Sequence, residues 1–334
     1  MYSSRFKSRQ SLLFALASAM FICSLSLHTA AEAQSLTPVE FNREQLVKMP
    51  VLGWIAEARL GSTPYRVGAD GSVRMVPATG SITYDFRTGD TAINLAGDHV
   101  EPAVTLYNPG STNNRSSGES RAFNALSCIG NEVRVLTGDA KGETGYVIGK
   151  HGGSEHVMVD FKDQEVLYKM SPGDKMQVYA HGAGMELQNA GDVQAFSMSP
   201  HLLEALTEAG MGITSVGKLR VPVALTVPAK IMGSGLGSDQ VYTGDYDIQL
   251  FDEVVIEKYG LDQLRFGDIV AITDADHSFG RIFKTGAITI GVITHSNSNI
   301  AGHGPGFTTL LTSTSGNIET FTDSEANLKH LLFE

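Results

Sequence analysis

The chain has 334 residues, of which 42% are hydrophobic, and its 25 basic and 36 acidic side chains give a formal net charge of −11. Such an acidic chain is a poor candidate for sequence-independent nucleic-acid binding, which depends on cationic patches. Two cysteines make no disulfide framework, so a hydrophobic core must stabilise the protein, and the length favours two domains.

Residues 1–33 have the features of a cleavable signal peptide. Three of the first nine residues are basic, an apolar stretch follows, and Ala-Glu-Ala at 31–33 supplies a small-x-small cleavage pattern before Gln34. The alternative is an uncleaved membrane anchor, but the apolar core of about 16 residues is short of the roughly 20 that span a bilayer. No later segment approaches that length. We therefore expect a periplasmic or secreted protein without membrane contact after cleavage.

Cleavage would leave 22 basic and 35 acidic residues, a net charge of about −13, and nine histidines. The sole remaining cysteine would be Cys128. It lies beside Ile129 in an apolar context, which is more typical of a buried small hydrophobic residue than of a nucleophile.

The predicted elements are mostly short strands. Gly-Asp dipeptides recur seven times, and those at 173–174 and 267–268 directly precede alternating apolar segments. Glycine permits a positive φ and aspartate hydrogen-bonds the turn backbone, so these dipeptides predict turns that lead into strands. Residues 219–223 also have a strand pattern. Short strands at this spacing are typical of small barrels or sandwiches.

Few helices are predicted. Residues 41–59 could form one, although Pro50 and Gly53 interrupt it. Ser199 is a good N-cap for a short helix that runs from Pro200 to Glu208 and that Gly210 would end. A further helix is expected from Asp252 to Tyr259, ended by Gly260, and residues 108–120 are expected to form a mobile loop.

The sequence therefore predicts a mainly β protein built from two small antiparallel barrel-like domains with a few short helices. After the signal peptide, the N-terminal β domain is expected to span residues 34–214. The C-terminal β domain would span residues 215–334, because a Gly-rich stretch near residue 215 precedes the return of the strand pattern.

Residues 132–149 contain a strand, the pattern Gly-x-x-Lys-Gly-x-x-Gly from Gly138 to Gly145, and a second strand. The segment resembles the KOW-type hairpin of SH3-like barrels, and this resemblance implies RNA contact through the loop. The alternative is a plain barrel hairpin. The acidic net charge and the expected export favour that alternative, so we predict no nucleic-acid partner.

The chain as a whole resembles an uncharacterised prokaryotic family, "domain of unknown function 4438", over roughly residues 50–320. The motifs that carry the resemblance lie at 97–102, 122–124, 128–131, 138–142, 149–153, 155–157, 232–237, 244–248, 266–270, 290–292, His295 and 302–306. The resemblance implies a two-part β-rich fold. It implies no activity and no catalytic residues.

Five histidines lie in Gly-rich turns with carboxylates close in sequence: His99, His151, His156, His295 and His303. One such histidine is usually a hydrogen-bonding turn residue, but sets of His and Asp/Glu also bind Zn²⁺ or similar cations. The spacings match no standard metal motif. The five-residue separation of His151 and His156 fits neither one strand face nor one helix turn unless the glycines between them bend the chain. We predict that these histidines converge.

Within this cluster we assign three residues as catalytic: His99, Asp98 and Asp245. The two aspartates would fix tautomers or bind the cation. Four histidines are predicted to bind a divalent metal such as Zn²⁺: His151, His156, His295 and His303. Three further residues are predicted to bind substrate: Asn131, Lys150 and Ser234. The loop around Ser234 invites a phosphate-binding interpretation, but it lacks the Lys-Ser/Thr of a P-loop and is as well explained as a sharp connection.

Two functions are consistent with these residues. The first is an exported, metal-assisted hydrolase of a small polar substrate. The alternative is a non-catalytic module that binds a small anion or sugar in the same pocket. Either function takes a small-molecule ligand. A hydrolase needs three converging ligands, an open coordination position and a carboxylate near the bound water, whereas a binding module needs only a pocket.

Overall fold

The structure is a computed structural model that describes residues 36–59, 65–75, 79–108, 117–233 and 241–334. The predicted signal peptide and Ser234 lie outside these ranges. No helix among the described residues is long and apolar enough to cross a membrane.

The mainly β prediction is confirmed. The described strands are β1 (Met49–Ile55), β2 (Tyr65–Val67), β3 (Val73–Met75), β4 (Ile82–Thr83), β5 (Ala103–Tyr107), β6 (Glu132–Val135), β7 (Thr144–His151), β8 (His156–Phe161), β9 (Lys175–Ala180), β10 (Gln194–Ala195), β11 (Gly212–Ile213), β12 (Leu219–Val223), β13 (Leu225–Pro228), β14 (Ile269–Asp276), β15 (Ile282–Ile293), β16 (Phe307–Ser313) and β17 (Ile318–Thr322). The α-helices are α1 (Gly118–Leu126), α2 (Pro200–Glu208) and α3 (Glu253–Tyr259). Short 3₁₀ helices occur at Arg43–Gln45, Gln164–Lys169, Ala229–Ile231 and Leu261–Gln263. A short π-helix occurs at Lys329–Phe333.

Six strands form a closed antiparallel barrel in the order β1-β9-β6-β7-β8-β5, which β1 and β5 close by pairing with each other. Closure removes the exposed edges that an open sheet would present. Fully buried side chains such as Leu106, Val133 and Val178 belong to its core. The segment that resembles a KOW-type hairpin supplies β6 and β7, which pair directly within this barrel.

The second half is built around a five-stranded sheet in the order β10-β16-β15-β14-β13, in which only β13 and β14 are parallel. A smaller sheet, β11-β12-β17, pairs β12 with β17 in parallel. One hydrophobic cluster contains residues of both the barrel and the five-stranded sheet, including Val157 and Ile290. The division of the chain near residue 215 stays a prediction. It falls in the turn between β11 and β12.

Two of the predicted helices are confirmed with their ends. In α2, Ser199 Oγ accepts a hydrogen bond from the Leu202 N–H, which satisfies a donor that the first turn leaves free. In α3, the Asp252 side chain caps the first turn, and Gly260 ends the helix at φ 64°.

The α-helix predicted within residues 41–59 is wrong, because only Arg43–Gln45 form a short 3₁₀ helix and Met49–Ile55 form the strand β1. Alternate side chains toward its end are buried, so the segment follows the two-residue period of a strand. Gly53 is also needed for packing. A Cβ there would lie 2.6 Å from the Phe123 ring.

The loop predicted for residues 108–120 is wrong at its end, because residues 118–120 begin helix α1. Ser117 Oγ accepts a hydrogen bond from the Ser120 N–H and so caps this helix. Residues 109–116 lie outside the described residues.

The predicted Gly-Asp turns are present before β9 and β14. Gly173 has φ 90° and Gly267 has φ 84°. In both turns the side chain of the aspartate accepts a hydrogen bond from the backbone N–H of the residue three positions earlier. Asp174 accepts from the Ser171 N–H at 2.9 Å, and Asp268 accepts from the Arg265 N–H at 2.8 Å. The dipeptide therefore has the local role that its chemistry predicts.

A buried histidine next to β14 makes stability depend on pH. His277 is fully buried, and burial, reinforced by Arg281, lowers its pKa to about 3. As pH falls below the unfolded value near 6.5, the unfolded chain binds a proton that the folded chain does not, so stability is lost. We expect the difference in free energy of unfolding between wild type and His277→Asn to fall by up to about 1.4 kcal/mol per pH unit between pH 6 and 4.

Urea unfolding at several pH values in this range measures that slope. The control is His330→Asn, which alters a histidine with 29% of its side chain exposed. Equal pH slopes for the two variants would contradict the prediction.

Candidate metal centre

The five histidines of the Gly-rich turns lie together. The ring centre of His99 is 5.7 Å from that of His151, 4.9 Å from that of His295 and 5.0 Å from that of His303. The rings of His151 and His295 are closer still, at 4.4 Å, and His156 is 6.3 Å from His151. The convergence that we predicted is thus present in the geometry, whereas the individual roles stay predictions.

The N-terminal half presents three of these histidines from the ends of barrel strands. His151 ends β7 and His156 begins β8, and the two are directly opposite each other in the hairpin register. Gly152, at φ 69°, lies in the turn between them. Their five-residue spacing therefore reflects a hairpin. His99 lies before β5 and has φ 58°, a conformation that is rare for residues other than glycine and is concentrated at functional sites.

The C-terminal half presents the remaining donors from loops around β15 and β16. His295 follows β15, and His303 precedes β16. Asp245 and Asp247 are two residues apart in an extended segment that pairs with Gly306 through Asp247. Residues at this spacing in an extended chain face the same side, so both carboxylates are directed toward the histidines.

In three of these histidines, Nδ1 contacts an oxygen atom outside the centre of the histidine cluster. His99 Nδ1 lies 2.6 Å from Asp98 Oδ1, His151 Nδ1 contacts Glu101 Oε1, and His295 Nδ1 donates to the Ser296 carbonyl at 2.9 Å. Metal-binding histidines commonly use one ring nitrogen in this way, which fixes the tautomer and leaves the other nitrogen as a lone-pair donor.

Asp98 and Glu101 are themselves held in place. Asp98 accepts hydrogen bonds from Ser298 Oγ at 2.8 Å and from the Asn299 N–H at 2.9 Å. Burial alone would raise the pKa of Asp98, but the bonds to His99, Asn299 and Ser298 hold it below its ordinary value. Asp98, predicted as catalytic, is thus placed to orient His99.

Glu101 contacts the Nδ1 atoms of both His151 and His156 through Oε1, at 2.8 Å for His156. Its other oxygen accepts from the Gly80 N–H and from Thr105 Oγ1. Burial opposes ionisation of Glu101, yet His156 and His151 hold its pKa well below the ordinary value. His156, predicted as a metal ligand, shares its carboxylate with His151 and is farther from the other rings.

At the centre, one ligand atom from each of His99, His151 and His295 lies within 4.8 Å of the others. His295 Nε2 is 2.7 Å from Asp245 Oδ2 and 3.6 Å from Asp247 Oδ1. Nevertheless, neither His295 Nε2 nor Asp245 Oδ2, both buried, makes a hydrogen bond among the described residues. Buried polar atoms are almost always satisfied, so this pair has the capacity for a further ligand.

The carboxylates control the protonation of these imidazoles. Burial lowers the pKa of His295, but Asp245 and Asp247 outweigh it and raise that pKa well above its ordinary value. The pKa of His151 is likewise raised by Asp245 and Glu101 against burial. Burial dominates at His99, whose pKa is lowered. The negative potential of these carboxylates, which favours protonation of His151 and His295, also favours binding of a metal cation beside the two rings.

Glycine provides the space beside the two unpartnered atoms. A Cβ at Gly306 would lie 2.4 Å from both His295 Nε2 and Asp245 Oδ2. It would therefore occupy the position that a ligand of these atoms requires. The Gly-rich sequence around His303 thus has a role in the site as well as in the turn.

The structure does not bring Lys150 or Asn131, two of the predicted substrate-binding residues, to this centre. Lys150 alternates with His151 along β7, so its fully buried Nζ reaches Ser197 Oγ and the Tyr242 carbonyl instead, and burial lowers its pKa to about 8. Asn131 bonds the backbone of Cys128 and His181. Cys128 is buried, as expected. Ser234 lies outside the described residues.

Two important residues were noted from the sequence only as nearby carboxylates and were given no role. Glu101 orients two histidines, and Asp247 contacts both His295 and His303. The position of Asp247 two residues after Asp245 was an available signal, since alternate residues of an extended segment share a face. No comparable local signal identified Glu101.

Comparisons with known proteins agree with the resemblance seen in the sequence. Residues 65–204 match the model described as "Domain of unknown function (DUF4438), N-terminal", and residues 210–332 match its C-terminal counterpart. The chain is also similar to a solved protein described as "Crystal structure of TM1086", with 41% sequence identity and a TM-score of 0.80 over 88% of this chain and 99% of that one. No curated protein matches the chain. Because the two family models together cover most of its length, the chain belongs to the DUF4438 family.

Proposed function

We propose that this protein is a metal-assisted hydrolase of a small polar substrate. A divalent cation such as Zn²⁺ would be held by His151 and His295, with His99 as the next donor and the Asp245 carboxylate beside the open position. The observation that carries the proposal is the convergence of imidazoles whose outer nitrogens are already engaged, next to the unpartnered pair formed by His295 Nε2 and Asp245 Oδ2.

Charge supports the same conclusion. Four carboxylates surround the histidines, and each residue is at most 5% exposed: Asp98, Glu101, Asp245 and Asp247. Buried negative charge requires compensation. The guanidinium of Arg281 interacts with Asp245 and Asp247, but the cluster otherwise offers imidazoles. Nitrogen and carboxylate oxygen donors together suit Zn²⁺ and similar transition metals.

The arrangement also suits hydrolysis. A bound divalent cation lowers the pKa of a coordinated water and so supplies hydroxide near neutral pH. Asp245 lies beside the proposed cation and is the candidate to accept the proton of that water. The cluster opens toward solvent at His303, where 36% of the side chain is exposed. A small substrate has access from this side.

Elemental analysis tests the metal centre. Protein purified without chelator or affinity histidines should contain at least about one equivalent of a divalent transition metal. The double variant His151→Ala/His295→Ala should lose it, since two central ligands are gone. His201→Ala, which alters an exposed histidine outside the cluster, should retain it. Wild-type protein that stays metal-free after dialysis against Zn²⁺ would overturn the proposal.

Hydrolysis needs a separate experiment. Metal-loaded wild type should cleave at least one member of a panel of small chromogenic esters and phosphate esters. The activity should disappear on chelation and fall at least about 100-fold in Asp245→Asn, the range of loss expected when a general base is removed. Bound metal without turnover of any panel member would favour a binding module.

A separate cavity supports such a binding module as the second candidate. It has a volume of about 300 Å³ and is lined by Tyr146, Tyr179, Lys48 and His181, together with Asn131, one of the residues predicted to bind substrate. Aromatic faces beside the ammonium group of Lys48 suit a sugar or a small anion. Calorimetric titration with acidic sugars tests this candidate, with Tyr179→Ala as the variant that should abolish binding.

We also propose that the protein is exported, on the basis of the signal-peptide pattern in residues 1–33. Protein recovered from an export-competent bacterium should begin at Gln34 or within a few residues of it. An intact N-terminus at Met1, determined by mass spectrometry, would sink the export proposal.

A further inference from the structure

We infer that the cluster holds a second divalent cation, bound by His99, His303 and Asp247 beside the first. This inference rests on the proposed metal centre and extends it from one cation to two. The three residues form a group whose ligand atoms lie within 4.8 Å of one another. This group shares Asp247 with the group of Asp245, Asp247 and His295, but His303 belongs to it alone.

The evidence for a second cation site is that two potential acceptor atoms lie close to His303 Nδ1. This atom is 3.2 Å from His99 Nε2 and 3.0 Å from Asp247 Oδ2. Because His99 Nδ1 is directed at the carboxylate of Asp98, it carries the ring proton, and His99 Nε2 presents a lone pair. A neutral His303 has one N–H at most to share between two acceptors.

A cation satisfies all three atoms at once. With metal–ligand distances of about 2.0–2.1 Å, the ligands of a tetrahedral ion are roughly 3.3 Å apart. The observed separations of 3.0 and 3.2 Å are close to this value. Two of the three separations therefore suit ligands of one ion, and the third pair of atoms lies within 4.8 Å.

Asp247 is positioned to bridge the two cations. Its Oδ2 faces His303 Nδ1, whereas its Oδ1 is 3.6 Å from His295 Nε2. An imidazole nitrogen has a single lone pair, so His99 Nε2 serves only one ion. If it serves the outer ion with His303, the inner ion keeps His151 and His295, and the bridging Asp247 carboxylate adds a third ligand to each ion. Each ion then retains an open position for water.

The remaining group, formed by Glu101, His151 and His156, needs no ion. Each histidine directs one ring nitrogen at Glu101 Oε1, so each imidazole can donate its own N–H to that oxygen. The cluster thus divides into an inner ion, an outer ion and a carboxylate that orients the inner histidines. Paired cations bridged in this way activate water and stabilise the leaving group in many hydrolases.

The outer ion should be the more exchangeable of the two. The His303 side chain is 36% exposed, whereas that of His295 is 1% exposed. Removal of metal by dilute chelator should therefore occur in two steps, with the outer ion lost first.

Zinc stoichiometry tests the inference. Chelator-treated protein is dialysed against Zn²⁺ and analysed for zinc per chain. We expect about two equivalents in wild type and in the control His201→Ala, and about one in His303→Ala. Circular dichroism and the melting temperature establish that each variant is folded, and His303→Gln provides a second variant if His303→Ala is not.

The outcomes separate the inference from the proposed function. One zinc per chain in wild type would overturn the second site and leave the first intact. No zinc would overturn both. Two equivalents that persist in both folded His303 variants would also overturn the inference, because the second ion would then lie elsewhere.

Discussion

Removal of metal is expected to lower the melting temperature of the wild-type protein by about 10 °C. A ligand present at 1,000 times its dissociation constant stabilises the folded state by about 4 kcal/mol. Each kcal/mol shifts the melting temperature of a protein of this class by roughly 2–4 °C. The loss arises because an ion that binds only the folded cluster no longer shifts the equilibrium toward the folded state. Thermal unfolding followed by circular dichroism, with and without chelator, gives the value.

Variants make this measurement specific to the cluster. The double variant His151→Ala/His295→Ala should melt at the same temperature with and without Zn²⁺, whereas His201→Ala should respond as wild type does. An equal response of the double variant to Zn²⁺ would show that the stabilising ion binds somewhere else.

Gly244→Ala is expected to destabilise the protein by more than about 4 kcal/mol, a loss at the extreme of single substitutions. A Cβ at this position would lie 1.4 Å from the Gly152 carbonyl oxygen, and Gly244 has φ 83°. The oxygen belongs to the backbone and the Cβ is bonded directly to it, so neither atom can move without displacing a chain segment. One segment carries Asp245 and the other is the turn after His151, so we also expect the variant to lose metal.

Gly217→Ala is the matched control. Gly217 has nearly the same backbone conformation, at φ 81°, but no heavy atom lies within 4 Å of the position of its Cβ. Only the left-handed conformation penalises alanine there, at a cost of about 1–2 kcal/mol. Urea unfolding of both variants separates the two effects. Similar losses for the two variants would mean that the close approach of the loops at Gly244 is not what requires glycine.

Much of the local structure could be predicted from the sequence. The caps of α2 and α3 and the Gly-Asp turns before β9 and β14 depend on residues a few positions apart, and their chemistry is expressed in the chain itself. The prediction failed within residues 41–59. There, pairing of β1 with β9 and β5 decided the outcome, and these partners lie about 50 to 130 residues away.

The candidate site divides in the same way. Sequence patterns identified all five histidines, because Gly-rich turns beside carboxylates are visible locally. They did not identify the role of Glu101, and they placed Lys150 in the site although alternation along β7 directs it away from His151. Alternation is a local rule, but which face of a strand meets the site is decided by what packs against it.

The sequence by itself determined which donor side chains the protein offers and the turns that present them. Only the tertiary structure decided which donors meet and what each does. His99 and His303 are separated by 204 residues, yet their ring nitrogens are 3.2 Å apart. The physical reason is that the role of an imidazole depends on the partner of its other nitrogen. For His99 that partner, Asp98, is the adjacent residue, whereas for His151 it is Glu101, which the fold alone brings into contact.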